Sequence, residues 1–482
     1  MGTRSERDPL GERVVPAEAY YGIQTVRAME NFPISGLRAH PALTIATAQV
    51  KLAAAQSNVA LKRLNPTIGD AIAAAAREVI GGRLHDQFVV DVYQAGAGTS
   101  HNMNTNEVLA NRALELLGEP RGRYAVVHPN DHVNMGQSTN DVFPTAMRLA
   151  ALSRMHSLLQ ALSGLEAALR EHADTFDRVI KAGRTHLQDA TPIRLGQEFG
   201  GYATAIAANQ AAITETRTAL RILGLGGTAV GTGLNTHPDY PRLVTATLAD
   251  VTGEPLVPAS DPFDTMQSMR PFAALSGALR TLALDLIRIC NDLRLLASGP
   301  RTGLAEIRLP AVQPGSSIMP GKVNPVMAEM LTMVCFQVVG HDLTIAMAVQ
   351  AGQLELNVMM PVIAHALLQS MDILASGIAA FTARCVSGIQ VDVERCRRYA
   401  EETVALATAL SPRIGYDRAA VLAKEAWASG RSVREMALEQ GILPKAELDK
   451  LLDLRRLTEP GVGGEAEERS GGAGEQGSRR EG

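Results

Sequence analysis

The stretch LSGALRTLALDLIRICNDLRLL, residues 275–296, predicts the fold most directly. Its apolar residues recur at alternating spacings of four and three, a pattern typical of a helix that packs lengthwise against other helices. Leu284, Ile287 and Leu295 lie off this seam, so we expect neighbouring helices to cover more than one face. The seam itself consists of Leu275, Leu279, Leu282, Leu286, Ile289, Leu293 and Leu296.

The same kind of long apolar stretch occurs at four other places in the chain. Aromatic residues make up only 4% of the sequence while Ala and Leu dominate these stretches, which favours helices over strands. We therefore expect a mainly α-helical protein with a bundle of about five helices, at 141–176, 194–222, 266–298, 325–350 and 360–385.

Breaks in the helical pattern predict three domains and a tail. Before residue 139 the chain mixes shorter helices with loops rich in Gly and Asn, and a more charged part follows the bundle. The tail has almost no apolar residues, so we expect it to be disordered. The predicted boundaries are 1–138 for a small helical domain, 139–395 for the bundle, 396–459 for a second small helical domain and 460–482 for the tail.

Composition excludes several classes of protein. The 482 residues carry a net charge of only −4, so no basic field would attract nucleic acid or an anionic membrane. The charged N-terminus lacks the apolar core of a secretory signal, and no apolar run reaches about 18 residues. We expect a cytoplasmic protein with a small-molecule or protein partner and with its four cysteines as buried free thiols.

Two polar segments lie near the start of the expected bundle. GAGTSHNMNTNE, residues 96–107, offers Thr99 and several amides that can hydrogen-bond a carboxylate or an amine, although a polar helix cap would look the same. HPNDHVNMGQSTNDVFP, residues 128–144, places Ser138, Thr139 and Asn140 just before a long apolar helix. A helix N-terminus there suits an anion, and plain N-capping explains these residues equally well.

Two further polar segments follow later in the chain. In GRTHLQDATP, residues 183–192, Thr185 and His186 precede a proline that we expect to interrupt a helix. QPGSSIMPGKVNP, residues 313–325, combines three prolines and two glycines with Ser316, Ser317, Lys322 and Asn324. Loops of this composition often act as lids, and the Lys with the nearby Asn can clamp a carboxylate; a solvated surface loop is the alternative.

Other motifs give no further site. GLGGTAVGTG, residues 224–233, superficially matches a dinucleotide-binding glycine pattern, but we expect it to follow a helical segment rather than a strand. The sequence contains no P-loop, no H-E-x-x-H and no clustered carboxylates with metal-ligand spacing. We expect no cofactor and no metal.

The loop GSSIMPGKVNP, residues 315–325, resembles the signature of the superfamily that contains fumarases, aspartases and argininosuccinate lyases. The resemblance to aspartases and class II fumarases extends from LGERVVPAEAYYGIQTVRAMENFPIS at residue 10 to SVREMALEQGIL near residue 443. It implies a three-domain, mainly α-helical chain whose five-helix bundle forms a twenty-helix core in a homotetramer. It also implies active sites that each take residues from three subunits.

The resemblance further implies the roles of the polar residues. Ser316 would be the catalytic base, with His186 as a second catalytic residue beside the departing group. Lys322 and Asn324 would bind the α-carboxylate of a dicarboxylate substrate. The β-carboxylate would be bound by Thr99, Ser138, Thr139 and Ser317, and the amino group would be surrounded by Asn140, Thr185 and His186.

The segments divide between two reactions of this superfamily. AYYG at 19–22, AGTS at 97–100, QSTND at 137–141, KVNPVMAE at 322–329 and AGQLELNVM at 351–359 look like aspartase. HPND at 128–131, THLQDATP at 185–192 and LNTHPDY at 234–240 look more like fumarase.

The aspartase-like segments include more of the substrate-contacting positions, so the resemblance favours deamination of L-aspartate to fumarate and ammonium. Met360 departs from the pattern, because aspartases often have an acidic residue after NVM. Fumarate hydratase is the first alternative. A non-catalytic helical tetramer is an alternative of another class, which loss of Ser316 or Lys322 would have favoured; both are present.

Overall fold

The computed structural model describes residues 2–461 and is mainly α-helical. In the first half of the chain the elements are β1 (Thr3–Asp8), β2 (Gly11–Pro16), α1 (Ile23–Asn31), α2 (Pro41–Ala60), α3 (Pro66–Ile80), α4 (Thr99–Leu116), α5 (Thr139–Thr175), β3 (Ile180–Thr185), β4 (Gln188–Arg194), α6 (Leu195–Glu215), α7 (Arg217–Leu220), β5 (Ile222–Leu223) and α8 (Tyr240–Thr252).

In the second half they are β6 (Val257–Pro258), α9 (Pro262–Gln267), α10 (Arg270–Leu296), β7 (Ile307–Arg308), α11 (Val326–Gln350), α12 (Met360–Arg384), β8 (Gln390–Val391), α13 (Val393–Glu402), α14 (Ser411–Ile414), α15 (Tyr416–Ser429), α16 (Val433–Glu439) and α17 (Lys445–Leu451).

The five expected long helices are α5, α6, α10, α11 and α12, so the prediction of a mainly α-helical fold is confirmed. The leucine seam of α10 is buried at every position, from Leu275 to Leu296. Leu284 and Leu295, off the seam, are exposed within the single chain. Two boundaries differ from expectation, because α6 ends at Glu215 and α10 begins at Arg270.

The chain divides into two compact units, and each of the five long helices contains a boundary between them. Of the described residues, the first unit contains 2–163, 206–288 and 329–380, and the second contains 164–205, 289–328 and 381–461. The three-domain division expected from the sequence remains a prediction. The expected disordered tail, 460–482, lies outside the described residues apart from Pro460 and Gly461.

Polar contacts join the long helices side by side inside the first unit. They connect α5 with α6 and α12, α6 with α10, α10 with α11, and α11 with α12. Except for the bond of the exposed Ser163, each lies between buried or half-buried groups, where a satisfied hydrogen bond also fixes the register of the two helices. The pairs are Ser163–Gln210, Arg154–Asp372, Asn209–Asp285, Ser276–Asp342 and His341–Ser370.

Two of the helices are long and apolar enough to cross a membrane by length and composition, namely Val326–Gln350 and a segment from Met360 to Gly388. That test is also passed by core helices, and here Asp342 in the middle of α11 accepts hydrogen bonds from Ser276 and Arg280. These contacts assign α11 to the bundle, and the bond between His341 and Ser370 joins α12 to it.

Strands occur only as four short pairs within the described residues. The antiparallel pair β3 and β4 covers 180–194, where the sequence predicted a helix interrupted by proline. That expectation is wrong, because Pro192 lies inside β4 rather than at a helix break. The hairpin places Thr185 and His186 at its tip.

Candidate active site

The turn before α4 holds Thr99 at the first position of that helix. Ala97 and Gly98 both have positive φ, 61° and 84°, and the N–H of Ala97 donates to the carbonyl of Val358 at 3.0 Å. A Cβ at Gly98 would lie 2.2 Å from the Phe143 ring, so only glycine fits there. Thr99 is exposed, and its hydroxyl donates to the carbonyl of Gly96 at 3.3 Å.

The segment Ser138–Asn140 enters α5, and each of its side chains has a partner. Oγ of Ser138 accepts from the N–H of Asn140 at 3.2 Å. Oγ1 of the buried Thr139 accepts from Nδ2 of Asn102 at 3.0 Å. Nδ2 of Asn140 donates to the carbonyl of Ala229 at 2.8 Å. The segment is therefore held in one conformation by residues of the same unit.

A buried carboxylate fixes the same segment to the glycine-rich loop 224–233. Asp141 accepts hydrogen bonds from the N–H groups of Ser138, Gly226 and Thr228, at 2.9, 3.0 and 2.9 Å. Burial raises the pKa of Asp141 to about 6. The loop follows the short strand β5, not a helix as the sequence suggested, and these backbone N–H groups bind a side chain of the chain itself.

A fully buried lysine lies beneath this segment. Nζ of Lys51, on α2, donates to Oδ1 of Asn134 at 2.8 Å and to Oε1 of Gln137 at 3.0 Å. Burial lowers the pKa of Lys51 to about 7, and the nearby Asp141 opposes that shift. Burial, with a smaller contribution from the Lys51 charge, lowers the pKa of the neighbouring His101 to about 4.

The tip of the β3–β4 hairpin carries Thr185 and His186, both exposed. His186 and Leu187 have φ of 54° and 57°, a left-handed conformation that non-glycine residues rarely adopt. Such backbone strain concentrates at functional sites. The hairpin is anchored by Arg184, whose Nη1 lies 2.8 Å from a carboxylate oxygen of the buried Glu306.

The loop 313–325 holds Ser316 by its backbone. Oγ of Ser316 accepts from the N–H groups of Ile318 and Met319, at 3.2 and 2.9 Å, and its residue is half-buried. Two N–H donors aimed at one hydroxyl oxygen stabilise negative charge on that oxygen. The neighbouring Ser317 is exposed.

The same loop is closed by contacts at its two ends. The N–H of Gly315 donates to the carbonyl of Lys322 at 2.8 Å, and Nδ2 of Asn324 donates to the carbonyl of Gly315 at 2.7 Å. A Cβ at Gly315 would lie 2.6 Å from that Lys322 carbonyl. Closure leaves the Lys322 side chain exposed at the mouth of the loop.

The structure thus groups the predicted residues in three places. Ser138, Thr139 and Asn140 are contiguous and connect through Asn102 to the helix that Thr99 begins. Among the described residues, no hydrogen bond or ion pair joins the hairpin tip to the loop of Ser316. The assembly of all ten residues into one site stays a prediction.

Sequence reasoning missed the residues behind the segment Ser138–Asn140. Lys51, Asn134, Gln137 and Asp141 were not predicted as site residues, although they hold that segment. A lone lysine in the apolar run AQVKLAAA was the available signal, since a lysine on a helix usually has its head group in water. No group of three or more His, Cys, Asp or Glu side chains suited to a metal ion occurs within residues 2–461.

The described residues form a helical bundle, and a Gly- and Pro-rich loop holds the Ser316 oxygen by two backbone N–H groups. A family model described as "Lyase" matches residues 11–340, and one described as "Fumarase C C-terminus" matches 406–459. The chain belongs to this lyase family, within the class II fumarase/aspartase superfamily, and the prediction of an enzyme of this superfamily is confirmed.

Relatives of two activities resemble the chain to the same degree. It is 50% identical over 461 residues to the aspartate ammonia-lyase of Bacillus subtilis strain 168, covering 96% of this chain and 97% of the relative. It is 51% identical over 460 residues to the class II fumarate hydratase of Halobacterium salinarum, covering 95% of this chain and 98% of the relative.

A solved structure shares the fold over nearly the whole chain. The crystal structure of fumarate lyase:delta crystallin from Brucella melitensis bound to cobalt has a TM-score of 0.93 and 50% identity, covering 95% of this chain and 100% of that one. The comparisons establish the superfamily and leave the choice of substrate between its members open.

Proposed function

We propose that the protein is an aspartate ammonia-lyase, a carbon–nitrogen lyase that converts L-aspartate reversibly into fumarate and ammonium. The proposal is supported by the aspartase-like segments AGTS, QSTND and KVNPVMAE, which contain six of the ten predicted site residues. Several relatives named aspartate ammonia-lyase, at 46–50% identity, are consistent with it.

The reaction removes a proton from the carbon next to the β-carboxylate of L-aspartate. The electron pair left behind enters that carboxylate as an aci-carboxylate with two negative charges, and the C–N bond then breaks to release ammonia. Preorganised donors aimed at the developing charge lower this barrier, and each is worth roughly 10²–10³ in rate. The substrate's own carboxylate accepts the electrons, so the proposal requires no cofactor.

The single observation that carries the mechanism is the environment of Ser316. Its oxygen accepts hydrogen bonds from two backbone N–H groups, at 3.2 and 2.9 Å. Within the described residues its own hydroxyl hydrogen donates to no acceptor. This arrangement favours the alkoxide, which is the form needed to take a proton from carbon. Ser316 therefore acts as the base in the proposed reaction.

The other residues bind the substrate in the proposed site. Ser138, Thr139 and Ser317 contribute hydroxyl donors to the β-carboxylate, and Thr99 joins them by turning its hydroxyl away from the Gly96 carbonyl. Lys322 and Asn324 bind the α-carboxylate. Asn140 donates its amide hydrogen to Ala229, which leaves its Oδ1 as the acceptor for the substrate ammonium. Thr185 and His186 complete the surroundings of the amino group.

Exposed apolar residues support a homotetramer. Along α11, Met333, Phe336, Leu343 and Met347 recur at helical spacing and are 58–66% exposed in the single chain. A stripe of this kind on a long helix fits burial against another copy of the bundle. Assembly also accounts for the exposed hairpin tip, because the site would then draw residues from different subunits.

Fumarate hydratase is the competing function, favoured by the fumarase-like segments HPND, THLQDATP and LNTHPDY and by relatives of equal identity. It would use the same base, with water in place of ammonia. Initial rates of fumarate formation by absorbance, with L-aspartate and with L-malate at equal concentrations, separate the two. Turnover of L-aspartate alone supports the proposal, and turnover of L-malate alone overturns it.

A further inference from the structure

The hydrogen bonds around Lys51 have a direction that its ammonium imposes. An ammonium has three donors and no acceptor, so each group that contacts it must present an oxygen. Asn134 and Gln137 do so with Oδ1 and Oε1. Their amide nitrogens then donate away from Lys51, to the carbonyls of Gln137, Val133 and Met135.

This direction continues through Asn102 to Thr139. Because Asn134 presents Oδ1, Asn102 must offer its amide nitrogen, and Nδ2 donates to Asn134 at 3.3 Å and to Oγ1 of Thr139 at 3.0 Å. The Thr139 oxygen is thereby an acceptor inside the protein. Its hydroxyl hydrogen is left to donate outward.

A second observation shows that the orientation of Asn102 is imposed by its partners. Oδ1 of Asn102 is buried and has no hydrogen-bond partner among the described residues. A buried acceptor without a partner costs free energy, and turning the amide would place two oxygens against each other at Asn134. Asn102 is therefore held in an orientation that the protein alone does not satisfy.

The charge of Lys51 also lacks a carboxylate partner of its own. Its contacts are two amide oxygens, while the nearby carboxylate of Asp141 accepts three backbone N–H groups. The contacts of Lys51 beneath the segment Ser138–Asn140 are therefore made to amide oxygens and not to a carboxylate.

We propose that Lys51 is a positioning residue for the substrate carboxylate: through Asn134 and Asn102 it fixes Thr139 as a hydrogen-bond donor. The inference rests on the proposed function, since it assigns a role at the same site. It concerns binding of a dicarboxylate and holds for L-aspartate and L-malate alike.

The test compares Lys51→Met, which keeps the length of the side chain without its donors, with Lys51→Arg, which keeps the positive charge and N–H donors in a larger, planar head group. KM is measured with whichever substrate the wild type turns over. We expect KM to rise about tenfold in Lys51→Met, the effect of losing one hydrogen bond to a charged group, and less in Lys51→Arg. Leu52→Ala, next to it in the helix and buried in apolar surroundings, should lower Tm and leave KM unchanged.

Coupling to Thr139 separates positioning from general stabilisation. In the background of Thr139→Val, Lys51→Met should change KM less than twofold, because the donor it positions is already absent. The inference would be overturned if the fold-change in KM of the double variant equalled the product of the two single-variant changes. A KM of Lys51→Met within twofold of the wild type would overturn it as well.

Asn102→Asp tests the same idea should Lys51→Met not fold. Its carboxylate has the same shape but only accepts, so it takes the Thr139 proton, and we expect a comparable rise in KM; an unchanged KM overturns the inference. A wild type that turns over neither substrate contradicts the proposed function. In that case binding of succinate, measured by calorimetry, tests the inference about Lys51. Binding that Lys51→Met or Asn102→Asp weakens tenfold supports the inference, whereas equal or absent binding overturns it.

Discussion

The hydroxyl oxygen of Ser316 accepts a hydrogen bond of 2.9 Å from the backbone N–H of Met319. The second donor, the N–H of Ile318, comes from the same turn, so the loop backbone itself forms the environment of the base. The loop is closed by the backbone contact of Gly315 with Lys322 and by the Asn324 side chain, and both contacts help to keep this geometry.

Replacing Ser316 by Ala should abolish the base while the fold persists. We expect kcat to fall by about three orders of magnitude or more, because a positioned proton acceptor contributes roughly 10²–10⁴ and the oxyanion environment is lost with it. Ser298→Ala is the matched control, since Ser298 is also a loop serine whose oxygen accepts a backbone N–H. Steady-state kinetics that gave the two variants similar kcat would remove Ser316 from the role of base.

Lys322 supplies the positive charge at the mouth of the loop. Lys322→Ala should lower kcat/KM at least a hundredfold, because the loss of one transition-state donor costs about 2.7–4 kcal/mol. Lys322→Arg should recover only part, since a planar guanidinium does not replace a compact ammonium in a tight loop. Lys445→Ala, on an exposed helix start, serves as control; equal kcat/KM in both Ala variants would show that Lys322 is a solvated surface charge.

Gly98 has both a positive φ and no space for a Cβ, whereas Gly118 has only the positive φ. Gly98 and Gly118 both have positive φ, but a Cβ would strike the Phe143 ring only at Gly98. Gly118→Ala should cost about 1–2 kcal/mol of unfolding free energy, the cost of the left-handed conformation. Gly98→Ala should cost about 1–3 kcal/mol more and raise KM by displacing Thr99. Denaturant unfolding with equal losses in both variants would contradict the clash.

The exposed stripe on α11 predicts the route of assembly. The wild type should have the mass of about four 51.2 kDa chains in light scattering. Phe336→Glu and Leu343→Glu should dissociate the tetramer, since burying a charge in an apolar interface is unfavourable, and activity should fall with it. Val421→Glu, a similar change on the exposed side of α15, should leave the mass unchanged. A monomeric wild type with full activity would contradict a site shared between subunits.

The long helices could be predicted because their periodicity is local. The seam from Leu275 to Leu296 is a property of one segment, and burial of these leucines confirms it. The β3–β4 hairpin could not be predicted in the same way. Its turn uses His186 and Leu187 in left-handed conformations where a typical hairpin turn has Asn and Gly, so no turn signal is present.

Only part of the candidate site could be predicted from the sequence. Ser316 and Lys322 were found because the glycines and prolines around them break the helical pattern, and the structure shows how the loop holds Ser316. Lys51 and Asn134 are 83 residues apart, and their contact depends on how α2 packs beneath the start of α5. Contacts of this kind are set by tertiary packing, so single-sequence periodicity does not reveal them.

The reverse reaction shows directly whether the enzyme adds ammonia or water to fumarate. The wild type is incubated with fumarate and ¹⁵N-labelled ammonium in water, and the products are followed by NMR. Ammonia and water then compete for fumarate in the same tube. An aspartate ammonia-lyase gives ¹⁵N-labelled L-aspartate as the main product, and this product should be lost in Ser316→Ala. Accumulation of L-malate without labelled aspartate would contradict it and assign the protein as a fumarate hydratase.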